Sequence, residues 1–211
     1  MANGNGKWTI VVPKNRSLKA CREKVERLVE DEGIKKYKVL EARGEDIAFF
    51  VHSIIKEGGK AIGITGEDLF KEWKLNNPSE HLDIIRRYEW KDEEAMFNKP
   101  VLCLLGPKKK ELEDLPKKLR VAISDKYKRI SKHYLNFLED HGYSFKKFYL
   151  SGSVEEAFPH GIADVIIDIV YSGKSADECG LRCYRKIFEC DMVAIGKKEF
   201  HHSLPKISIV K

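Results

Sequence analysis

IADVIIDIVYSGKSADECGL, the stretch from Ile162 to Leu181, decides how the rest of the chain is read. Its apolar run from Val165 to Val170 holds one carboxylate, Asp168, among β-branched residues. Such a run suits a strand buried on both faces. A small polar loop follows, Tyr171-Ser172-Gly173-Lys174-Ser175, and then a segment that opens like a helix. Ser175 and Glu178 have the spacing of a capping box, which predicts a helix starting at Ser175. The unpaired N–H groups of such a start, with the positive end of the helix dipole, favour a phosphate. Gly173 permits close approach, Lys174 adds charge, and Ser172 and Ser175 offer hydroxyls. The loop reads either as a phosphate cradle or as a tight turn between strand and helix. It is not a Walker loop, because that pattern needs a glycine where this chain has Asp168.

Strand, loop and helix recur on either side. Trp8 to Val12 reads as a strand, followed by Pro13-Lys14-Asn15-Arg16-Ser17 and a helix from Leu18 to Glu32. Cys21, Val25, Leu28 and Val29 share one face of that helix. Tyr37 to Leu40 is a second strand, ahead of Arg43-Gly44-Glu45-Asp46 and a helix from Ile47 to Lys56 that Gly58-Gly59 end. Ala61 to Ile64 is a third, ahead of Thr65-Gly66-Glu67-Asp68 and helical Leu69 to Trp73. Val101 to Leu105, Leu119 to Ile123, Phe145 to Leu150 and Asp191 to Ile195 read as further strands, with a helix from Ile130 to Asp140. Ser153 and Glu156 repeat the capping-box spacing, while Glu80 to Phe97 shows no period.

This alternation predicts an α/β fold of mixed, mostly parallel sheets covered by helices, with ligands beyond the carboxyl ends of strands. Two sets of units joined near Gly106-Pro107 predict two lobes with a cleft between them. Lobe I is expected over residues 1–105 with the returning segment 189–211, and lobe II over 106–188.

Composition excludes several classes. At 211 residues, with 34% charged and 42% hydrophobic residues, the chain can bury a good core and is too apolar for disorder. The net charge of +6 is mild, and the basic residues are dispersed apart from Lys108-Lys109-Lys110 with Lys117, Lys118 and Arg120. No aromatic-basic signature points to nucleic acid, while a small polyphosphate fits the excess equally well. The five cysteines form no CxxC pair, and no histidine spacing near Cys179, Cys183 and Cys190 completes a zinc site. They are expected to be reduced and packed, with no metal held by protein side chains. His201-His202 stand in a separate tail segment. No apolar run reaches membrane-spanning length and the first residues lack an apolar signal core, so the expected compartment is the cytoplasm, with no membrane partner.

The strand and its loop resemble the phosphoribosyl-diphosphate loop of ATP phosphoribosyltransferases, whose pattern is roughly ADxIVDxVxTGxTLxxNGL. The matching residues are Ala163, Asp164, Ile167, Asp168, Val170, Ser172, Gly173, Ser175, Gly180 and Leu181. Lys14 and Arg16 match a PKGR loop, with Asn15 in place of glycine, and Arg43, Asp46 and Ile47 match an RxxDI step. Ile62 to Asp68 is similar to LGITGxD, Lys126-Tyr127 with Ile130-Ser131 to KYPxIT, and Gly152 to Glu155 reads GSVE. These pieces keep the family's order from near residue 8 to near residue 196. The chain departs from the pattern at Tyr171, Lys174 and Ala176.

The resemblance implies a two-lobed type II periplasmic-binding-protein-like fold. It further implies the first step of histidine biosynthesis, in which adenine N1 of ATP takes the phosphoribosyl group of 5-phosphoribosyl 1-diphosphate with Mg²⁺ on the substrate. Ser172, Gly173, Lys174 and Ser175 would hold the 5-phosphate, and Asp168 with Asp164 the ribose hydroxyls. Lys14 and Arg16 would act catalytically on the leaving diphosphate, and Arg43 and Glu155 would bind the nucleotide. The chain resembles the short form of the family, without the long form's histidine-sensing domain. That form implies a homodimer at minimum, a partner resembling histidyl-tRNA synthetase, and no histidine response in this chain alone. The reading from another class is a non-catalytic protein on the same fold that binds a phosphorylated metabolite.

Overall fold

The computed structural model of the chain describes residues 7–14 and 18–197. In order, the elements are β1 (Trp8–Pro13), α1 (Leu18–Asp31), β2 (Tyr37–Ala42), α2 (Ile47–Lys56), β3 (Ala61–Gly66), α3 (Glu67–Asn76) and β4 (Asp83–Tyr88). Then come β5 (Val101–Pro107), β6 (Lys118–Ser124), α4 (Lys128–Asp140), β7 (Ser144–Leu150), β8 (Val165–Val170), α5 (Lys174–Glu178), β9 (Leu181–Glu189) and β10 (Met192–Gly196). They form two compact units. One holds the described residues up to Gly66, Asn77–Tyr88 and the described residues from Met192 on; the other holds Glu67–Asn76 and Glu89–Asp191.

Each unit has one five-stranded sheet, of order β2-β1-β3-β10-β4 in the first and β7-β6-β8-β5-β9 in the second. In the first, β1 pairs in parallel with β2 and β3, while β10 runs antiparallel to both β3 and β4. The second repeats this, with β6 parallel to β7 and β8, and β5 antiparallel to β8 and β9. Four strands of each sheet therefore share a direction and one opposes them. The two sheets have the same plan, which makes them mixed and mostly parallel as the alternation predicts.

Central strands are continuous apolar runs because both their faces are covered. Ile10, Val11, Ala61, Ile62 and Ile64 are fully buried in the first sheet. At Gly63 a Cβ would stand 2.6 Å from Ile47 and 2.7 Å from Val51, so the bare glycine is what lets α2 lie against β3. In the second sheet, Leu102, Leu104, Val121, Ile123, Val165 and Ile167 face α4 through Leu135 and Leu138. Their neighbours Val101, Cys103, Leu105, Ala122, Ile166 and Val170 pack on Val154, Ala157 and Ala176 on the other side. The two-residue period of a strand sorts these side chains.

Several expectations are corrected. The predicted boundary at residues 105/106 and 188/189 does not hold: Val101 to Leu105 pairs with both β8 and β9 and so belongs to the second sheet. Helix α3, expected in the first lobe, joins the second unit as well. Leu69 and Leu75 pack on its core, and the Glu72 carboxylate accepts the Arg129 and Ile130 amides of α4 at 2.7 and 2.9 Å. Tyr127, in the short turn just ahead of α4, donates its hydroxyl to buried Asp68 of α3 at 2.7 Å, a second tie to that helix. The unassigned span contains β4, which closes the first sheet against β10. No capping box forms at either predicted place. Ser175 lies inside α5, whose cap is Gly173, and Ser153 precedes a short 3₁₀ turn at φ 47° without a side-chain cap. Gly180, at φ +76°, follows α5 after a single short turn of helix, and the next nine residues are β9.

Candidate functional site

The carboxyl end of β8 and its loop make a hollow of about 130 Å³ lined by Leu105, Glu155, Asp168, Ser172, Gly173 and Ser175, among others. Register explains how it is built. Asp168 stands opposite Cys103 of β5, and Ile167 opposite Ile123 of β6, which brings Ser124 beside Asp168. Asp168 accepts the Ile169 amide at 2.8 Å. Burial pushes its carboxyl up to about 6, and the charge of Glu155 works in the same direction. The Ile169 amide, the Lys126 ammonium and a hydrogen bond with Ser124 oppose that rise. An aspartate held in a hollow with its ionisation near neutrality is a common mark of a binding or catalytic site.

The loop beyond it turns sharply. Gly173 has φ +76°, a left-handed conformation that other residues adopt only under strain. The Lys174 amide approaches the Ser172 hydroxyl at 3.4 Å, and the Asp177 amide donates to the Gly173 carbonyl at 2.9 Å. With α5 only five residues long, little macrodipole builds up. What the loop offers an anion is its local N–H groups and the two exposed serine hydroxyls, a weaker field than the sequence suggests.

The predicted site residues separate into groups. Asp168, Ser172, Gly173, Ser175 and Glu155 come together around one hollow. Lys174 turns to an adjoining one with Met96, Asp177 and Glu178. Asp164 does not join them. It lies before the first residue of β8, about 13 Å along the strand from Asp168 at strand rise. There it takes the Arg120 guanidinium at 2.7 and 3.1 Å, and the Arg120 amide at 2.7 Å. That fork holds its carboxyl below the usual carboxylate range and fixes the amino end of β8. Lys14 and Arg43 both follow strands of the first sheet, where Pro13 and Ala42 are paired in register. The Lys14 amide donates to Ala42 at 2.8 Å, and Arg43 pairs with Glu45 at 2.9 Å while remaining mostly exposed. Arg16, with Asn15, and His201-His202 lie outside the described residues.

Sequence reading assigned no role to Ser124 and Lys126, which act on Asp168, or to Asp92 and Met96, which touch the loop. Ser124 ends a strand parallel to β8, so a known strand order would have found it. Among the described residues, no three His, Cys, Asp or Glu side chains are grouped to hold a metal ion. No described helix is long and apolar enough to cross a membrane.

Two mixed sheets on one plan, with the loop of residues 171–175 after the third parallel strand of the second, define an α/β protein of the type II periplasmic-binding class. The periplasmic aliphatic sulphonate binding protein SsuA from Escherichia coli shares this fold, with a TM-score of 0.60 at 14% identity over 92% of this chain and 66% of that one. The HisG:HisZ ATP phosphoribosyl transferase complex from Thermotoga maritima has a chain that matches with a TM-score of 0.62 at 22% identity, covering 90% of this chain and 87% of that one. Residues 43–209 match the family described as HisG, ATP phosphoribosyltransferase, and this chain belongs to it. The ATP phosphoribosyltransferase of Caldicellulosiruptor bescii is 33% identical over 150 residues, 71% of this chain but 65% of that protein. The one from Hydrogenobaculum sp. is 29% identical over 208 residues, 90% of this chain and 93% of that protein.

Proposed function

We propose that this chain is a phosphoribosyltransferase that moves the phosphoribosyl group of 5-phosphoribosyl 1-diphosphate to N1 of ATP and releases diphosphate. The observation that carries the reading is the hollow joining the Asp168 carboxylate to the Ser172–Ser175 loop at the end of β8. A phosphorylated pentose has a phosphate at one end and hydroxyls a few ångströms away, which matches N–H and hydroxyl donors beside a carboxylate acceptor.

In this reading Ser172, Gly173 and Ser175 hold the 5-phosphate, with Lys174 adding charge from the adjoining side. Asp168 accepts hydrogen bonds from the ribose hydroxyls, and Ser124 and Lys126 keep its carboxylate oriented and ionised. Lys14 and Arg16 are assigned to the diphosphate that leaves, because cations there gain most as its charge grows. Arg43 and Glu155 are assigned to the nucleotide. No covalent intermediate is needed: the bond from C1 to the diphosphate breaks, the bond from C1 to N1 forms, and the protein positions the partners and stabilises charge. The carboxylates of the hollow, Asp168 and Glu155, do not by themselves form a metal cage, so Mg²⁺ fits as part of the substrate. Bound to the diphosphate, it would offset the charge of the leaving group.

A homodimer, a partner resembling histidyl-tRNA synthetase and a place in the cytoplasm belong to the same proposal; the Thermotoga complex supports the partner. The test is formation of phosphoribosyl-ATP, measured by mass spectrometry with both substrates, for the chain alone and with such a partner. Product that depends on both substrates is the expected result. Binding of 5-phosphoribosyl 1-diphosphate without turnover in either arrangement refutes the catalytic reading.

A further inference from the structure

The segment between β4 and β5, which has no period in sequence, is fastened at its base and at its tip. Asp191 accepts the Trp90 amide at 3.1 Å and the Lys99 ammonium at 2.7 Å, so one carboxylate ties both ends of the loop together. Within it, the Asp92 amide donates to the Asn98 carbonyl at 2.8 Å and the Asn98 amide to the Ala95 carbonyl at 2.9 Å. The Glu94 amide donates to the Asp92 carboxylate at 3.0 Å, and Asn98 takes a φ of 60° to close the turn.

The tip rests on the phosphate loop. Tyr171 donates its hydroxyl to the Asp92 carboxylate. The Met96 amide donates to the Tyr171 carbonyl at 2.7 Å. The Met96 sulfur lies so near Gly173 that a Cβ there would meet it at 2.9 Å. The hydroxyl contact is felt by both partners: it holds Asp92 below the usual carboxylate range and raises Tyr171 to about 12. Tyr171, a departure from the family pattern, thus has its own partner in an equally unpatterned segment.

We infer that residues 90–99 form a built-in latch in which Asp92 and Tyr171 are positioning residues that hold the loop from Tyr171 to Ser175 in its phosphate-binding shape. The inference rests on the phosphate reading of that loop. A loop fixed beforehand avoids the ordering loss that a free one suffers when ligand arrives. Two serines and a glycine give this loop ample freedom to lose, and the latch takes the Tyr171 carbonyl and hydroxyl while leaving the N–H groups beyond it for ligand.

The test is a double-mutant cycle of Tyr171→Phe, which keeps the ring, and Asp92→Ala. Calorimetry with 5-phosphoribosyl 1-diphosphate should show each single variant weakened by roughly five- to tenfold, and the double variant no worse than either. KM for that substrate should rise while KM for ATP stays put, a split that a general loss of stability does not produce. In the ligand-free protein, the Met96 amide should exchange about tenfold faster in both single variants. Unchanged affinity, additive losses or an unchanged Met96 exchange rate overturns the latch. If the parent protein does not bind 5-phosphoribosyl 1-diphosphate at all, the functional reading fails, and the exchange rates alone decide the latch.

Discussion

Asp168→Asn should make the protein more stable and less able to bind. Burial raises the folded-state ionisation of Asp168 to about 6. That is roughly two units above an unfolded aspartate, and each unit corresponds to about 1.36 kcal/mol. Below about pH 4 the carboxyl is protonated in folded and unfolded chains alike. As pH rises from about 4 to 6, the unfolded chain releases its proton while the folded one retains it. Stability therefore falls across that window, by about 3 kcal/mol in all, and the loss is complete once pH passes the folded value. Asparagine removes the charge and keeps an oxygen for the Ile169 amide, so the variant should match the parent near pH 4 and exceed it by up to about 3 kcal/mol at pH 8. The same change takes a charged acceptor from the ribose hydroxyls. It should weaken 5-phosphoribosyl 1-diphosphate by roughly tenfold to a hundredfold, which is about 1.5–3 kcal/mol. Urea unfolding of both proteins at pH 4, 6 and 8, with calorimetric titration at pH 8, measures both effects. Carboxylates remote from Asp168 contribute alike to both proteins and cancel in the difference. A difference in stability that stays constant from pH 4 to 8 refutes the burial argument, and an unchanged affinity refutes the ribose role.

Two further substitutions test the loop and its support. Gly173→Val places a branched side chain at φ +76°, a strain of about 1–2 kcal/mol or more, whereas the contact with the Met96 sulfur can be relieved by a flexible side chain. The loop should relax out of its binding shape and lose at least tenfold in affinity for 5-phosphoribosyl 1-diphosphate; a folded variant with parental affinity by calorimetry contradicts this. Glu72→Ala leaves the Arg129 and Ile130 amides of α4 without their acceptor, which should cost about 1–3 kcal/mol in urea unfolding. An unfolding midpoint equal to the parent's would show that water replaces the carboxylate at no cost.

The elements legible in the sequence are those whose signals are local. The run from Val165 to Val170 is too short and too β-branched for a helix, and the residues after it are turn formers, so strand and loop are both recovered. Strand β9 is not recovered, for an equally physical reason. Residues 181–189 carry charges at Arg182, Arg185, Lys186 and Glu189, a spacing no cleaner for a helix than for a strand. Two register shifts against β5 further blur the alternation that would have marked β9. The sequence puts helix α3 with the first lobe because Asp68 and Glu72 look like surface carboxylates until Tyr127 and the start of α4 supply their partners from more than fifty residues away.

The two aspartates of the strand motif show where the limit lies for the site. Asp164 and Asp168 are four residues apart, and in a strand that spacing puts two side chains on one face, as the resemblance invites. The same spacing separates them by about 13 Å along the strand, more than a hydroxyl-binding pair can bridge. One must therefore lie toward the amino end of the sheet, where Arg120 takes it. Only the one near the carboxyl end can reach the loop. Direction along the strand thus divides the two: Asp164 anchors β8 through a satisfied ion pair, and Asp168, buried near the carboxyl end, lines the hollow beside the loop of residues 171–175.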